Sequence, residues 1–146
     1  MKRQLFFLAA TALLVFSLAG CRTGLPDGLP KLYSCHVGIV DKAGAPIDNA
    51  TVVAVLPGSK WAGIGLTDSD GIAVLKTNGI YPGVPAGTYK ITVTKYDVKV
   101  LRTGPDGEAT EIAETLVLDK SFADEATTPL ELTVEAKTNN ATFEVF

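Results

Sequence analysis

Residues 88–94 read Thr88-Tyr89-Lys90-Ile91-Thr92-Val93-Thr94. Large apolar side chains occupy every second position, and Thr or Lys stands between them. Successive residues of a strand point to opposite faces, so this alternation puts Tyr89, Ile91 and Val93 on one buried face. Thr, Tyr, Ile and Val suit the pleated, half-buried surface of a strand. The segment is therefore read as a strand with an inward row.

Working outward, the same signature recurs in short runs. Strands are expected near 34–40, 50–56, 61–67, 72–76, 88–95, 97–101, 113–118, 130–136 and 141–146. Turn chemistry separates them: Asp41-Lys42-Ala43-Gly44, Pro57-Gly58-Ser59, Asp68-Ser69-Asp70-Gly71 and Gly104-Pro105-Asp106-Gly107. In 33–40, period two places Tyr33, Cys35, Val37 and Ile39 together. A sustained helical period is missing; 108–114 and 121–126 are the short helical candidates, the second short enough to be a single turn. Many short strands with Gly and Pro turns indicate an all-β fold, a single antiparallel β-sandwich of about seven to nine strands.

The chain has 146 residues, 13 Lys plus Arg, 16 Asp plus Glu, one His and two Cys. That is one domain's length. Lys2 and Arg3 open it, and Leu5 to Ala19 form fifteen residues without charge. A basic start, a short apolar run and small residues mark a secretory signal peptide over 1–20. Fifteen residues fall short of the roughly 20 that span a bilayer. The run closes on Leu18-Ala19-Gly20-Cys21, which resembles the bacterial lipobox. That resemblance implies cleavage before Cys21, acylation of Cys21 and a membrane link through lipid. Arg22 rather than Asp after the Cys implies the outer membrane over the inner one. Residues 21–32, with Gly24, Pro26, Gly28 and Pro30, read as the lipidated Cys and a short tether. The folded domain is 33–146.

Without the leader, 11 basic residues face 16 acidic ones, a net charge of −5. Phosphate contacts need clustered Lys and Arg, so nucleic acid is not expected as a partner.

Three segments resemble carboxypeptidase regulatory-like domains. Gly38-Ile39-Val40-Asp41-Lys42-Ala43-Gly44-Ala45-Pro46-Ile47-Asp48-Asn49-Ala50-Thr51-Val52 is similar to their opening strand and turn. Thr67-Asp68-Ser69-Asp70-Gly71-Ile72-Ala73 is similar to their hairpin. Pro85-Ala86-Gly87-Thr88-Tyr89-Lys90-Ile91-Thr92-Val93 is similar to a following strand. The resemblance covers roughly 35–95 and implies a transthyretin-like, Ig-like Greek-key sandwich with no catalytic residues of its own.

The residues that could carry chemistry are few. One His excludes any site in a single copy that needs two, and with it Cys2His2 zinc or a two-His iron centre. His36 follows Cys35 directly, so on a strand it points away from it and cannot act as its base. Cys35 itself reads as a small buried hydrophobe. No Ser lies in G-x-S-x-G. Asp68 and Asp70 could open a calcium loop, but Gly79 stands where the closing Glu would be. Their other reading is a turn in which Asp bonds nearby N–H groups. No metal or cofactor is expected.

Trp61 sits in 57–66 between turn residues, and Tyr81 in 78–84. Each suits either core packing or a ligand contact. The expectation is a lipid-anchored, non-catalytic envelope protein that meets envelope proteins as a structural or interaction module. The alternative is a surface carbohydrate-binding module using Trp61 or Tyr81. Substituting Cys21→Ala is expected to move the protein from the membrane to the soluble fraction, read by fractionation and immunoblot. Retention in the membrane would contradict the anchor.

Overall fold

The computed structural model describes residues 25–146. The expected leader, with Leu18, Ala19 and Gly20, and Cys21 after it, lies outside the described residues. Thirteen strands follow one another, several only two residues long. They are β1 (Leu32–Tyr33), β2 (Cys35–Val40), β3 (Thr51–Val55), β4 (Ala62–Leu66), β5 (Ile72–Val74), β6 (Lys76–Thr77) and β7 (Tyr81–Pro82). Then come β8 (Val84–Pro85), β9 (Gly87–Thr94), β10 (Tyr96–Thr103), β11 (Ala109–Leu116), β12 (Glu131–Val134) and β13 (Asn139–Glu144).

The fold is an all-β sandwich. One layer has the order β12-β9-β3-β4-β6-β7, and the other β13-β2-β5. A short β1–β8 ladder and a separate β10–β11 ribbon complete it. The alternation of 88–94 does what period two requires: Tyr89, Ile91 and Val93 have no exposed surface. Cys35, Val37 and Ile39 of β2 and Val52 and Ala54 of β3 are equally buried. Leu132 and Val134 of β12 join the same core. Each buried Val or Ile contributes about 1.5–3 kcal/mol relative to exposure. Tyr89 is the bulkiest fully buried side chain, and its hydroxyl donates to the Pro85 carbonyl at 2.8 Å. A buried hydroxyl without that acceptor would cost about 1–3 kcal/mol.

The expected turns form. Asp41 Oδ1 accepts from the amides of Ala43 and Ala45, and the Gly44 amide donates to the Asp41 carbonyl. Asp68 Oδ1 accepts from Asp70 and Ile72, at 3.0 and 2.9 Å.

Two expectations are corrected. Residues 108–114 are not helical; they fall in the turn before β11 and in β11 itself. Glu108, Glu111 and Glu114 have helical spacing, but pairing with β10 decides the conformation. The second helical candidate is indeed a single turn, a 3₁₀ turn over Lys120–Ala123 capped by Asp119. The sandwich is also not purely antiparallel: β13 runs parallel to β2, from Asn139↔Cys35 to Glu144↔Val40. The chain crosses from one sheet to the other at 135–138, and a strand delivered by a crossover can run parallel, as one delivered by a tight hairpin cannot. Buried Asn139 holds this crossing: its side chain donates to the carbonyls of Glu135 and Lys137 and accepts from the Glu135 amide.

Gly71 closes the turn between β4 and β5 with φ +72°, and a Cβ there would lie 2.6 Å from the Ile39 carbonyl oxygen. Both the left-handed backbone and the contact forbid a side chain. Gly71→Ala is expected to lower stability by about 1–3 kcal/mol in urea unfolding. An unchanged midpoint would contradict this packing.

Candidate functional site

Cys35 is the free cysteine among the described residues, and it is buried. Burial pushes its thiol up to about 11. A thiol held protonated at neutral pH is a poor nucleophile. His36 faces the other way, as strand geometry requires, and its Nδ1 lies 3.1 Å from Asn140 Oδ1. Cys35 and His36 are therefore not brought together.

Asp68 spends its carboxylate on its own turn, as described above. Among the described residues, no group of three or more His, Cys, Asp or Glu converges as metal ligands would.

Trp61 and Tyr81 flank the same turn. The Ala62 amide donates to Asn78 Oδ1 at 3.3 Å, and the Asn78 amide donates to the Ala62 carbonyl at 2.7 Å. Tyr81 pairs with Thr77. Both aromatics are half-buried. Lys60 Nζ stands 4.7 Å from the Trp61 ring centroid, so one face of the ring already carries a cation–π partner.

Two apolar surfaces escape the sequence reading. The first follows from β4, whose inward positions are Gly63 and Gly65. A Cβ on Gly63 would lie 2.6 Å from Val84 Cγ1, and one on Gly65 3.2 Å from Leu75 Cδ2. Val84 and Leu75 fill the inward space, and the branched residues of β4 and β5 point outward. Ile64, Leu66, Ile72 and Val74 are between 37% and 60% exposed. With Thr51 and Lys76 they line an open concavity of about 530 Å³.

The second surface is the β10–β11 ribbon, which belongs to neither layer. All eight residues of β10 are exposed. Directly paired residues share a face. Tyr96↔Leu116, Val98↔Glu114 and Val100↔Ile112 make one face, apolar except for Glu114. Asp97↔Thr115 and Lys99↔Ala113 make the other, which continues into the Arg102–Glu111 ion pair. The register slips beyond Val100, leaving Leu101 unpaired in a bulge. At the root, the Val117 amide donates to the Lys95 carbonyl, and Lys95 Nζ lies 2.8 Å from Asp48 Oδ1. That ammonium holds the Asp48 carboxyl below the usual range. The signal for this arm was present in the sequence as two alternating runs around Gly104-Pro105-Asp106-Gly107. Nothing in the alternation says that the apolar row lacks a cover.

Burial also raises the Tyr89 phenol, to about 12. For Cys35 and Tyr89 the folded state keeps its proton where the unfolded chain has lost it. The contribution of these two groups is then fully present below the unfolded thiol's pKa, about 9, and is lost as pH rises toward 12. Urea midpoints across pH 8–12 are expected to show this decline, shallower in Cys35→Ala and in Tyr89→Phe. An equal slope in both variants would contradict it.

No family model matches this chain, and no curated protein matches it. Among solved structures it is similar to a variant of BcpA, the major pilin subunit of Bacillus cereus. The identity is 19% over 80% of this chain and 30% of that one, with TM-score 0.46. It is similar to BcpA itself at 16% identity over 80% and 30%, with TM-score 0.40. A 9R-lipoxygenase from Cyanothece PCC8801 gives 13% identity over 78% and 16%, with TM-score 0.39. The chain thus spans under a third of each of these proteins, and similarity at this level says nothing of what it binds.

Proposed function

We propose that this chain is a lipid-anchored envelope protein whose sandwich is a non-catalytic structural or protein-interaction module, with the β10–β11 arm as its contact element. The observation that carries this reading is the arm itself. An isolated two-stranded hairpin is marginal in water. This one leaves Tyr96, Val98, Val100 and Ile112 half exposed, at 50–53%, with a strand edge open on each side. Exposed strand edges with apolar side chains are what strand-adding partners use.

The placement of the arm supports the same reading. β1 joins Val84 and Pro85, beside the start of β9, so the N-terminal segment enters there. The arm leaves from Lys95, at the far end of β9. Eight residues of strand separate the two points, about 23 Å. The arm thereby leaves the sandwich at the opposite end of β9 from β1. Leu18-Ala19-Gly20-Cys21 supports the anchor, and Arg22 the outer membrane. The carboxypeptidase regulatory-like reading rests on its three segments, which lie on β2–β3, the β4–β5 turn and β8–β9 of the sandwich.

Replacing 97–115 by Asn-Gly joins Tyr96 to Leu116 through a two-residue hairpin turn. The core residues lie outside the excised segment, so melting is expected to shift by only a few degrees. Capture of envelope protein from solubilised membranes is expected to disappear. Capture equal to that of the intact chain would overturn the reading.

A further inference from the structure

We propose that the arm's partner is a second copy of this chain, joined edge to edge through β10 about a two-fold axis at Val98. This rests on the reading of the arm as the contact element. β10 is bonded to β11 along one edge, and its other edge is open among the described residues. Two copies of one strand pair antiparallel only about an axis perpendicular to the joined sheet, and such a contact must be self-complementary.

The sequence Tyr96-Asp97-Val98-Lys99-Val100 has that property about Val98. Asp97 then faces Lys99 of the second copy, and Lys99 faces its Asp97. Tyr96 faces Val100 twice, and Val98 faces Val98. Opposite charges and aromatic–β-branched pairs directly across a ladder are favourable, whereas like charges there are unfavourable. Moving the axis to Asp97 sets Asp97 against Asp97. Moving it to Lys99 sets Lys99 against Lys99. The charges thus select one register.

Among the described residues, neither Asp97 nor Lys99 has an ion-pair partner, whereas Arg102 has Glu111. The bulge beyond Val100 limits the regular run to the residues that pair. β11 offers no equivalent, since its charged residues, Glu111 and Glu114, are both acidic. In the joined four-stranded sheet, β11 forms both outer edges, and those glutamates oppose addition of a third copy. The contact closes at two.

The test uses the full chain in its own membranes. Val98→Cys places a thiol on the axis, and mild oxidation should give a disulfide-linked dimer on a non-reducing gel. Cys35 is buried and does not compete. Ile112→Cys, on the outer strand, should give none. In the Val98→Cys background, Asp97→Lys should lower the dimer yield about tenfold, and adding Lys99→Asp should restore it. All positions are exposed on the arm, and tryptophan fluorescence of Trp61 checks that each variant folds.

A dimer that ignores Asp97→Lys, or a double swap no better than the single one, overturns the proposed register. A Val98→Cys adduct with a different protein overturns the second copy and leaves the interaction module standing. No adduct of any kind overturns the proposal, and the hairpin-shortened chain then decides the module reading separately.

Discussion

The structure depends on two inward rows meeting between two sheets: Tyr89, Ile91 and Val93 from β9, and Cys35, Val37 and Ile39 from β2. Both come from strict alternation, so a register slip of one residue in either strand would turn its whole apolar set to solvent. The polar atoms drawn into this core are satisfied locally. Tyr89 donates to the Pro85 carbonyl, Thr77 to the Gly83 carbonyl and Thr128 to the Ile91 carbonyl. Among the described residues no buried side-chain nitrogen or oxygen lacks a partner.

What the core leaves out is correspondingly informative. Glycines on the inward side of β4 let Val84 and Leu75 supply the volume, which sends Ile64 and Leu66 outward. The β10–β11 arm departs further, because it has an apolar face that no layer of the described residues covers. Its charged face and its bulge are the devices by which exposed strands are kept from indiscriminate pairing. Its open β10 edge carries one acid and one base in an order that is complementary to itself. Solubility and a specific contact can therefore coexist in one ribbon.

Chemistry is arranged against catalysis at the residues that first suggest it. Cys35 is buried and protonated, and His36 is turned to the other face by the strand they share. Asp68 is occupied by the amides of its own turn, so its pairing with Asp70 in sequence is turn chemistry. Trp61 is half-buried under Lys60, beside the Asn78–Ile80 turn.

The sequence by itself determined the longer core strands, their inward rows and their turns, whereas the two-residue strands β1, β7 and β8 exist only through tertiary pairing. Period-two alternation and Asp/Gly turn chemistry are local properties, legible within a few residues of Tyr89, Asp41 or Asp68. Leu18-Ala19-Gly20-Cys21 and the apolar run before it are linear patterns, and the expectation of a leader rests on them alone. Only the tertiary structure decided that β13 runs parallel to β2, because direction follows from where a chain crosses between sheets. Tertiary pairing with β10 likewise made 109–116 a strand, although its glutamates have helical spacing. And only tertiary structure left the Val98 row bare: alternation says which side chains share a face, but whether another layer covers that face is a matter of distant chain.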